Sequence, residues 1–76
     1  MFIYDKFSEE IINTEEIANI WKEDFIDKED KTFTYRICII FKSQQSTNIF
    51  KYSSRTQRDV AFSEIKGLLN CVDIGS

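Results

Sequence analysis

The stretch KTFTYRICIIFK, residues 31–42, decides the fold because it places apolar side chains on both faces of one strand. At the strand period of two residues, one face consists of Phe33, Tyr35, Ile37, Ile39 and Phe41. The opposite face consists of Thr34, Arg36, Cys38, Ile40 and Lys42. The first face predicts a hydrophobic core, and the half-apolar second face predicts a contact surface.

The residues before this strand predict two further strands. MFIYDKF, residues 1–7, alternates as a short strand, and a turn is expected at residues 13–16. The segment from about Ile17 to Ile26 is interpreted as a strand, because the polar turn DKEDK then makes a hairpin the shortest connection. A helix over residues 14–26 stays open as an alternative, since Ile17, Ile20, Trp21 and Phe25 also fit helical spacing.

The residues after it predict a returning strand. SQQS, residues 43–46, is interpreted as a turn and TNIFKYS, residues 47–53, as a strand. A four-residue loop places Ile39 opposite Phe50 and Ile37 opposite Tyr52. The same register puts Ile40 beside Ile49 on the outer face.

The C-terminal segment predicts an amphipathic helix. Ser54 with Gln57, or Thr56 with Asp59, forms a capping box. The apolar stripe consists of Ala61, Phe62, Ile65, Leu68, Leu69 and Val72. We expect Ile65 and Leu68 to point inward and cover the Phe33/Ile37/Ile39/Phe50 face. Residues 1–76 are therefore predicted to form a single α+β domain, an antiparallel β-meander of about four strands with one C-terminal α-helix packed on one face.

The composition argues against most enzyme chemistry. The 76 residues contain no histidine, which is the usual general base and metal ligand near neutral pH. Cys38 and Cys71 fit no zinc spacing and have no histidine to activate them. No glycine-rich phosphate loop is present. We expect no catalytic residue, no cofactor and no metal site.

Charge is distributed unevenly along the chain. Residues 1–31 hold ten acids and four lysines, a net charge of −6, whereas residues 32–76 hold six bases and three acids, a net charge of +3. This pattern is typical of solvated surface, or it presents an acidic face to a basic protein partner. The isoelectric point of about 4.8 argues against nucleic-acid binding. Arg55 and Arg58, at the start of the predicted helix, are candidate anion contacts.

The sequence also predicts a cytoplasmic protein that does not enter a membrane. The first ten residues lack the basic start and long apolar run of a signal peptide. No run approaches the roughly 20 apolar residues of a membrane span. Two cysteines without a disulfide pattern suggest a reducing compartment.

The order of elements resembles that of small uncharacterised bacterial and prophage proteins, including the flagellar FlbD-like proteins. The resemblance lies in Ile12, Asn13, Ile17 and Ile20 before the hairpin, and in Ala61, Phe62 and Ile65 in the last helix. It covers most of the chain through its hydrophobic pattern and implies no catalytic residue.

Taken together, the sequence predicts a non-enzymatic interaction module that forms a homodimer. A domain of this size has a small core, and association is a common source of extra stability. The candidate interface consists of Cys38, Ile40 and Ile49, with Ile20 or Trp21 depending on register. Two alternatives are an inhibitor, encoded on a mobile element, whose acidic N-terminal half mimics nucleic acid, and an anion- or lipid-binding β module.

Overall fold

The protein is an α+β fold in which antiparallel strands pack against one C-terminal helix. The structure is a computed structural model, and it describes residues 1–72, 74 and 75. The elements in order are β1 (Phe2–Asp5), β2 (Glu10–Asn13), a 3-10 helix (Thr14–Glu16), β3 (Ile17–Asp27), β4 (Thr32–Phe41), β5 (Thr47–Tyr52) and α1 (Arg55–Leu68). We call the β1–β2 sheet the ribbon and the β3–β4–β5 sheet the meander. The predicted fold class is confirmed, with five strands in two sheets among the described residues instead of about four in one.

The additional strand is β2, which returns antiparallel along β1. Asp5 starts the turn by accepting a hydrogen bond from the Phe7 N–H at 3.0 Å, and Glu9 takes a left-handed conformation with φ 58°. The return strand EIIN has only four residues. Such a short segment carries too little alternation to be distinguished from a loop by pattern alone.

The ambiguous segment before the hairpin is a strand. The prediction of a strand from Ile17 to about Ile26 is confirmed by β3, and the helical alternative is wrong. A register shift between Ile17 and Asn19 marks a β-bulge at the start of the strand. Because the bulge adds one residue to β3, Ile17 and Ile20 both pack against the core.

The β4–β5 hairpin has a different register from the predicted one. Ile37 pairs with Phe50 and Ile39 pairs with Asn48, two residues away from the prediction. The N–H of Lys42, directly after β4, donates to the carbonyl oxygen of Glu16 in the 3-10 helix at 2.7 Å, so this residue is bonded to the segment before β3 and not to β5. A shift of two residues keeps every side chain on its predicted face.

The core lies between the meander, the ribbon and α1. Its buried residues are Ile12, Ile37, Ile39, Phe50, Tyr52, Ala61 and Ile65. We call the helix-covered side of the meander the inner face and the opposite side the outer face. Phe33 was predicted to be part of the core. It lies on the inner face next to the β3–β4 turn, and it is more than half exposed.

The helix begins as predicted but is rotated relative to the prediction. Ser54 is the N-cap, and its side chain accepts a hydrogen bond from the Gln57 N–H at 3.1 Å. Ile65 is buried, but Leu68 is 39% exposed, and Leu69 packs against the core instead. The prediction for Leu68 is therefore wrong. The buried side of the helix consists of Arg58, Ala61 and Ile65 and continues to Leu69, and Leu68 lies beside it.

Candidate interaction surface

The outer face of the meander brings together most of the residues predicted to form an interface. The strand pairing places side chains in two adjacent rows, Trp21–Cys38–Ile49 and Asn19–Ile40–Thr47. No side chain of these rows belongs to the core cluster of the described residues. Cys38, Ile40, Ile49 and Trp21 therefore form one continuous patch on the face opposite α1.

Ile20 does not belong to this patch. The sequence left the choice between Ile20 and Trp21 to the register of the first hairpin. In the observed register Ile20 pairs with Ile39 and packs against the core, whereas Trp21 pairs with outward-facing Cys38. The bulge at the start of β3 does not affect this choice, because the pairing is regular from Asn19 onwards.

Cys38 lies at the centre of the patch and is nonetheless only 1% exposed. Its neighbours Trp21 and Ile49 flank it from the adjacent strands. Burial, followed by the negative charge of Glu23, raises the pKa of the Cys38 thiol above its ordinary value. The thiol is thus a packing group and a poor nucleophile. Cys71 is also a free thiol, and it is exposed.

A charged row borders the apolar rows and consists of Glu23, Arg36 and Lys51. The Arg36 guanidinium lies 3.9 Å from the centre of the Phe25 ring, and its Nη1 atom is 3.5 Å from Oε1 of Glu23. Oε2 of Glu23 also accepts a long hydrogen bond of 3.4 Å from the Trp21 indole N–H. The Arg36 Nε atom is buried and has no hydrogen-bond partner among the described residues. A donor therefore stays unpaired beneath this face in the single chain.

The predicted anion contacts, Arg55 and Arg58, are both directed to carboxylates of the same chain. Arg58 is 4% exposed, and its guanidinium lies 2.7 Å from carboxylate oxygens of Asp24 and of Asp59. It also donates to the Glu23 carbonyl oxygen at 2.9 Å. Arg55 is exposed and lies 3.3 Å from Oδ2 of Asp24. Arg58 thus joins α1 to β3 and is not available to an external anion.

The ribbon carries a second apolar surface that the sequence did not predict as one. Phe2, Tyr4 and Ile11 share the side of the ribbon that faces away from the core, and each is between 62% and 73% exposed. Ile3 and Ile12 occupy the opposite side and pack in or against the core. The alternation in MFIYD placed Phe2 and Tyr4 on one side of β1. Strand β2 was not predicted from the sequence, so Ile11 could not be placed beside them. We call Phe2, Tyr4 and Ile11 the ribbon patch.

A groove of about 260 Å³ lies between β1 and α1. Its lining is mostly apolar and includes Ile3, Phe7, Val60, Ala61, Ile65 and Leu68. Of its charged residues, Asp5 is already bonded to the Tyr52 hydroxyl, which leaves Lys6 and Glu64 at the groove. Among residues 1–72, 74 and 75, no group of three or more histidine, cysteine or acidic side chains is arranged to hold a metal ion. No helix formed by the described residues is long and apolar enough to cross a membrane.

Comparisons with protein-family models, with curated proteins and with solved structures find nothing that matches the chain. The resemblance in layout to the FlbD-like proteins therefore stays a prediction.

Proposed function

We propose that the protein is a non-enzymatic interaction module that forms a homodimer through the outer face of the meander. The observation that carries the proposal is the position of Trp21, Ile40 and Ile49 on one sheet face that packs against neither α1 nor the ribbon. Aromatic and aliphatic side chains at the centre of a patch, bordered by charged residues, are typical of protein interfaces. The free cysteines fit a reducing compartment, and we place the protein in the cytoplasm as part of this proposal.

The arrangement of charges gives less support to a nucleic-acid mimic or to an anion- or lipid-binding module than to the homodimer. A nucleic-acid mimic needs free carboxylates, but Asp5 is buried and bonded to Tyr52, and Asp24 is paired with Arg55 and Arg58. An anion- or lipid-binding module needs accessible cations, and Arg58 is buried. Glu15 is paired with the N-terminal amino group and Asp27 accepts backbone N–H groups of its turn, so the exposed acids that are left for a basic partner lie mainly at residues 9, 10, 16, 29 and 30.

Analytical ultracentrifugation from about 1 to 200 µM tests the dimer. We expect the mass to rise towards twice the 9.0 kDa of the chain as the concentration increases. Ile49→Lys and Ile40→Lys place an unpaired charge in the contact and should weaken association at least about tenfold. Ile11→Lys makes the same change on the ribbon patch and is the matched control, which should associate like the wild type.

A wild-type protein that stays monomeric over the whole range contradicts the proposal. If Ile11→Lys dissociates the dimer and Ile49→Lys does not, the dimer forms through the ribbon patch, and the outer face is not the interface.

A further inference from the structure

The charges on the outer face are separated from one edge of the meander to the other. The acidic residues on this face, Glu23 and Asp27, lie on β3, whereas Arg36 lies on the central strand and Lys51 on β5. Lys51 is exposed and makes no ion pair with any residue that the structure describes. The face therefore has an acidic edge and a basic edge.

This separation distinguishes between the possible ways of stacking two copies of the same face. A two-fold axis that runs parallel to β4 places β3 of one copy opposite β5 of the other. An axis perpendicular to the strands places like strands opposite each other. Glu23 then meets only β3 residues and Lys51 meets only β5 residues, so no opposite charges pair between these edges.

We infer that the two copies stack with the two-fold axis parallel to β4, so that Glu23 of each copy lies opposite the partner's Lys51. This inference rests on the proposed dimer and specifies its geometry. Packed sheets lie about 10 Å apart, which a lysine and a glutamate side chain span together. The symmetric dimer contains this ion pair twice, at its two edges.

The same axis brings the apolar rows into register. Trp21 lies opposite the partner's Ile49, so the largest side chain of the face packs on an exposed aliphatic one. Cys38 lies near the axis, but sheets about 10 Å apart hold the two copies of this residue beyond the roughly 7 Å limit for a disulfide between Cα atoms. Arg36 also lies on the central strand, so the axis brings its two copies near each other. Each guanidinium is held over the Phe25 ring of its own chain, which keeps the two positive charges away from the axis on the β3 side.

The size of the face sets the expected affinity. The two apolar rows, the charged row and the adjacent pair of Phe25 and Thr34 cover a Cα grid of about 10 by 20 Å, given the usual spacings between strands and residues. Such a patch is smaller than the roughly 800 Å² per partner of a standard interface. We therefore expect a dissociation constant in the micromolar range and a strong dependence on the edge charges at low salt.

The experiment mixes two charge-reversed variants, Glu23→Lys and Lys51→Glu. Each variant alone places like charges at both edges, so each should associate at least about tenfold more weakly than the wild type in ultracentrifugation at low salt. An equimolar mixture restores both opposite-charge pairs in the heterodimer and should associate nearly as well as the wild type. Raising the salt concentration should reduce these differences.

The controls separate an edge pairing from a change in net charge or in folding. Lys28→Glu and Glu29→Lys make the same charge changes in the turn between β3 and β4, and mixing them should change nothing. Circular dichroism checks that each variant is folded. If a reversal prevents folding, Glu23→Gln, Lys51→Gln and the double variant measure the same coupling by a thermodynamic cycle.

The strength of each separate variant decides the axis. If like strands face each other, each variant only exchanges one pair of like charges for another, so it associates like the wild type, and the mixture associates more tightly than the wild type. That result, or a mixture that associates no better than its components, overturns the inferred axis and leaves the proposed dimer standing. If the effects of Glu23→Gln and Lys51→Gln on the dissociation constant simply add in the double variant, the inferred axis is likewise overturned. A wild type that is monomeric at every concentration instead contradicts the proposed function itself.

Discussion

The Tyr52 hydroxyl donates a hydrogen bond to the Asp5 carboxylate, and both residues are buried. This contact joins β5 to the end of β1 across 47 positions of the sequence. Asp5 also accepts the Phe7 N–H at 3.0 Å, so one carboxylate both forms the turn of the ribbon and attaches the ribbon to the meander. A two-stranded ribbon has little stability by itself, so it depends on this bond and on the packing of Ile3 and Ile12 against the core.

Removal of the hydroxyl should destabilise the protein and change its response to alkaline pH. Tyr52→Phe leaves the buried Asp5 carboxylate with the Phe7 N–H but without the hydroxyl donor on its other oxygen, which should cost about 1–3 kcal/mol in urea denaturation at pH 8. Burial, followed by the hydrogen bond to Asp5, raises the pKa of Tyr52 above its ordinary value of 10.0. The folded state therefore retains a proton that the unfolded state loses above pH 10, and this part of the stability falls as the pH rises further.

Urea denaturation of the wild type and of Tyr52→Phe at pH 8 and pH 10.5 checks the role of the Tyr52 hydroxyl. The wild type should lose more free energy of unfolding between the two pH values than Tyr52→Phe does. Tyr4→Phe, on the exposed side of the ribbon, is the control and should behave like the wild type. Equal alkaline losses in the wild type and in Tyr52→Phe contradict the role of this contact.

Arg58 and Arg55 both connect α1 to Asp24 of β3, and we call these contacts the joint. The stability of the protein should depend strongly on Arg58 and only weakly on Arg55. Arg58→Met keeps much of the apolar stem but removes the donors to Asp24, Asp59 and the Glu23 carbonyl oxygen. We expect a loss of about 2–3 kcal/mol, below the usual range for a broken buried pair because both carboxylates stay partly solvated. Arg55→Met, at the exposed position, should cost less than about 1 kcal/mol by the same thermal or urea measurement.

The stability that this joint contributes is lost at acidic pH. The hydrogen bond from Arg58 is the main cause that lowers the pKa of Asp59 below its ordinary value of 3.8. The contribution is therefore present at neutral pH and is lost as the pH falls below about 4 through the lowered folded pKa. Acid titration of Arg58→Met should show a smaller loss of stability between pH 5 and pH 2 than the wild type shows.

The helix should be much more sensitive to truncation at Ile65 than at Leu68. Ile65 is 2% exposed, and Ile65→Ala should cost about 2–5 kcal/mol, as is usual for a buried aliphatic side chain. Leu68 is partly exposed, so Leu68→Ala should cost less than about 1.5 kcal/mol by the same urea denaturation. Equal losses at the two positions contradict the observed rotation of the helix.

Gly67 offers a stabilising substitution. It lies within α1, and a Cβ atom built at this position meets no heavy atom within 4 Å. Gly67→Ala should therefore raise the free energy of unfolding by about 0.5–1 kcal/mol, because alanine loses less backbone entropy in a helix. Gly67→Val is the control, since its β-branch lowers helix propensity and should remove part of the gain. A fall in the thermal midpoint of Gly67→Ala would contradict the open space beside this position.

The local patterns of the sequence determined the identity of most elements. Period-two alternation in residues 31–42 predicted β4 and both of its faces. The sequence offered two starts for α1, Ser54 with Gln57 or Thr56 with Asp59, and the structure has the first. The outer-face position of Cys38, Ile40 and Ile49 followed from the same alternation. These features depend on neighbouring residues only, so they can be inferred without knowing how the elements pack.

Contacts between distant residues decided the rest. The β4–β5 hairpin is paired two residues away from the predicted register, and Lys42 beyond the end of β4 is bonded to Glu16. Arg58 on the buried side of α1 pairs with Asp24, while Leu68 is partly exposed. The same is true of the ribbon, whose strand β2 is too short for a pattern and is held by its pairing with β1 and by its core residue Ile12. Apart from the β1–β2 pairing, these contacts join segments that no short window of sequence contains, and the alternation of a strand is unchanged by a two-residue slip. Only the packed chain could therefore select the register, the helix rotation and the surfaces left exposed.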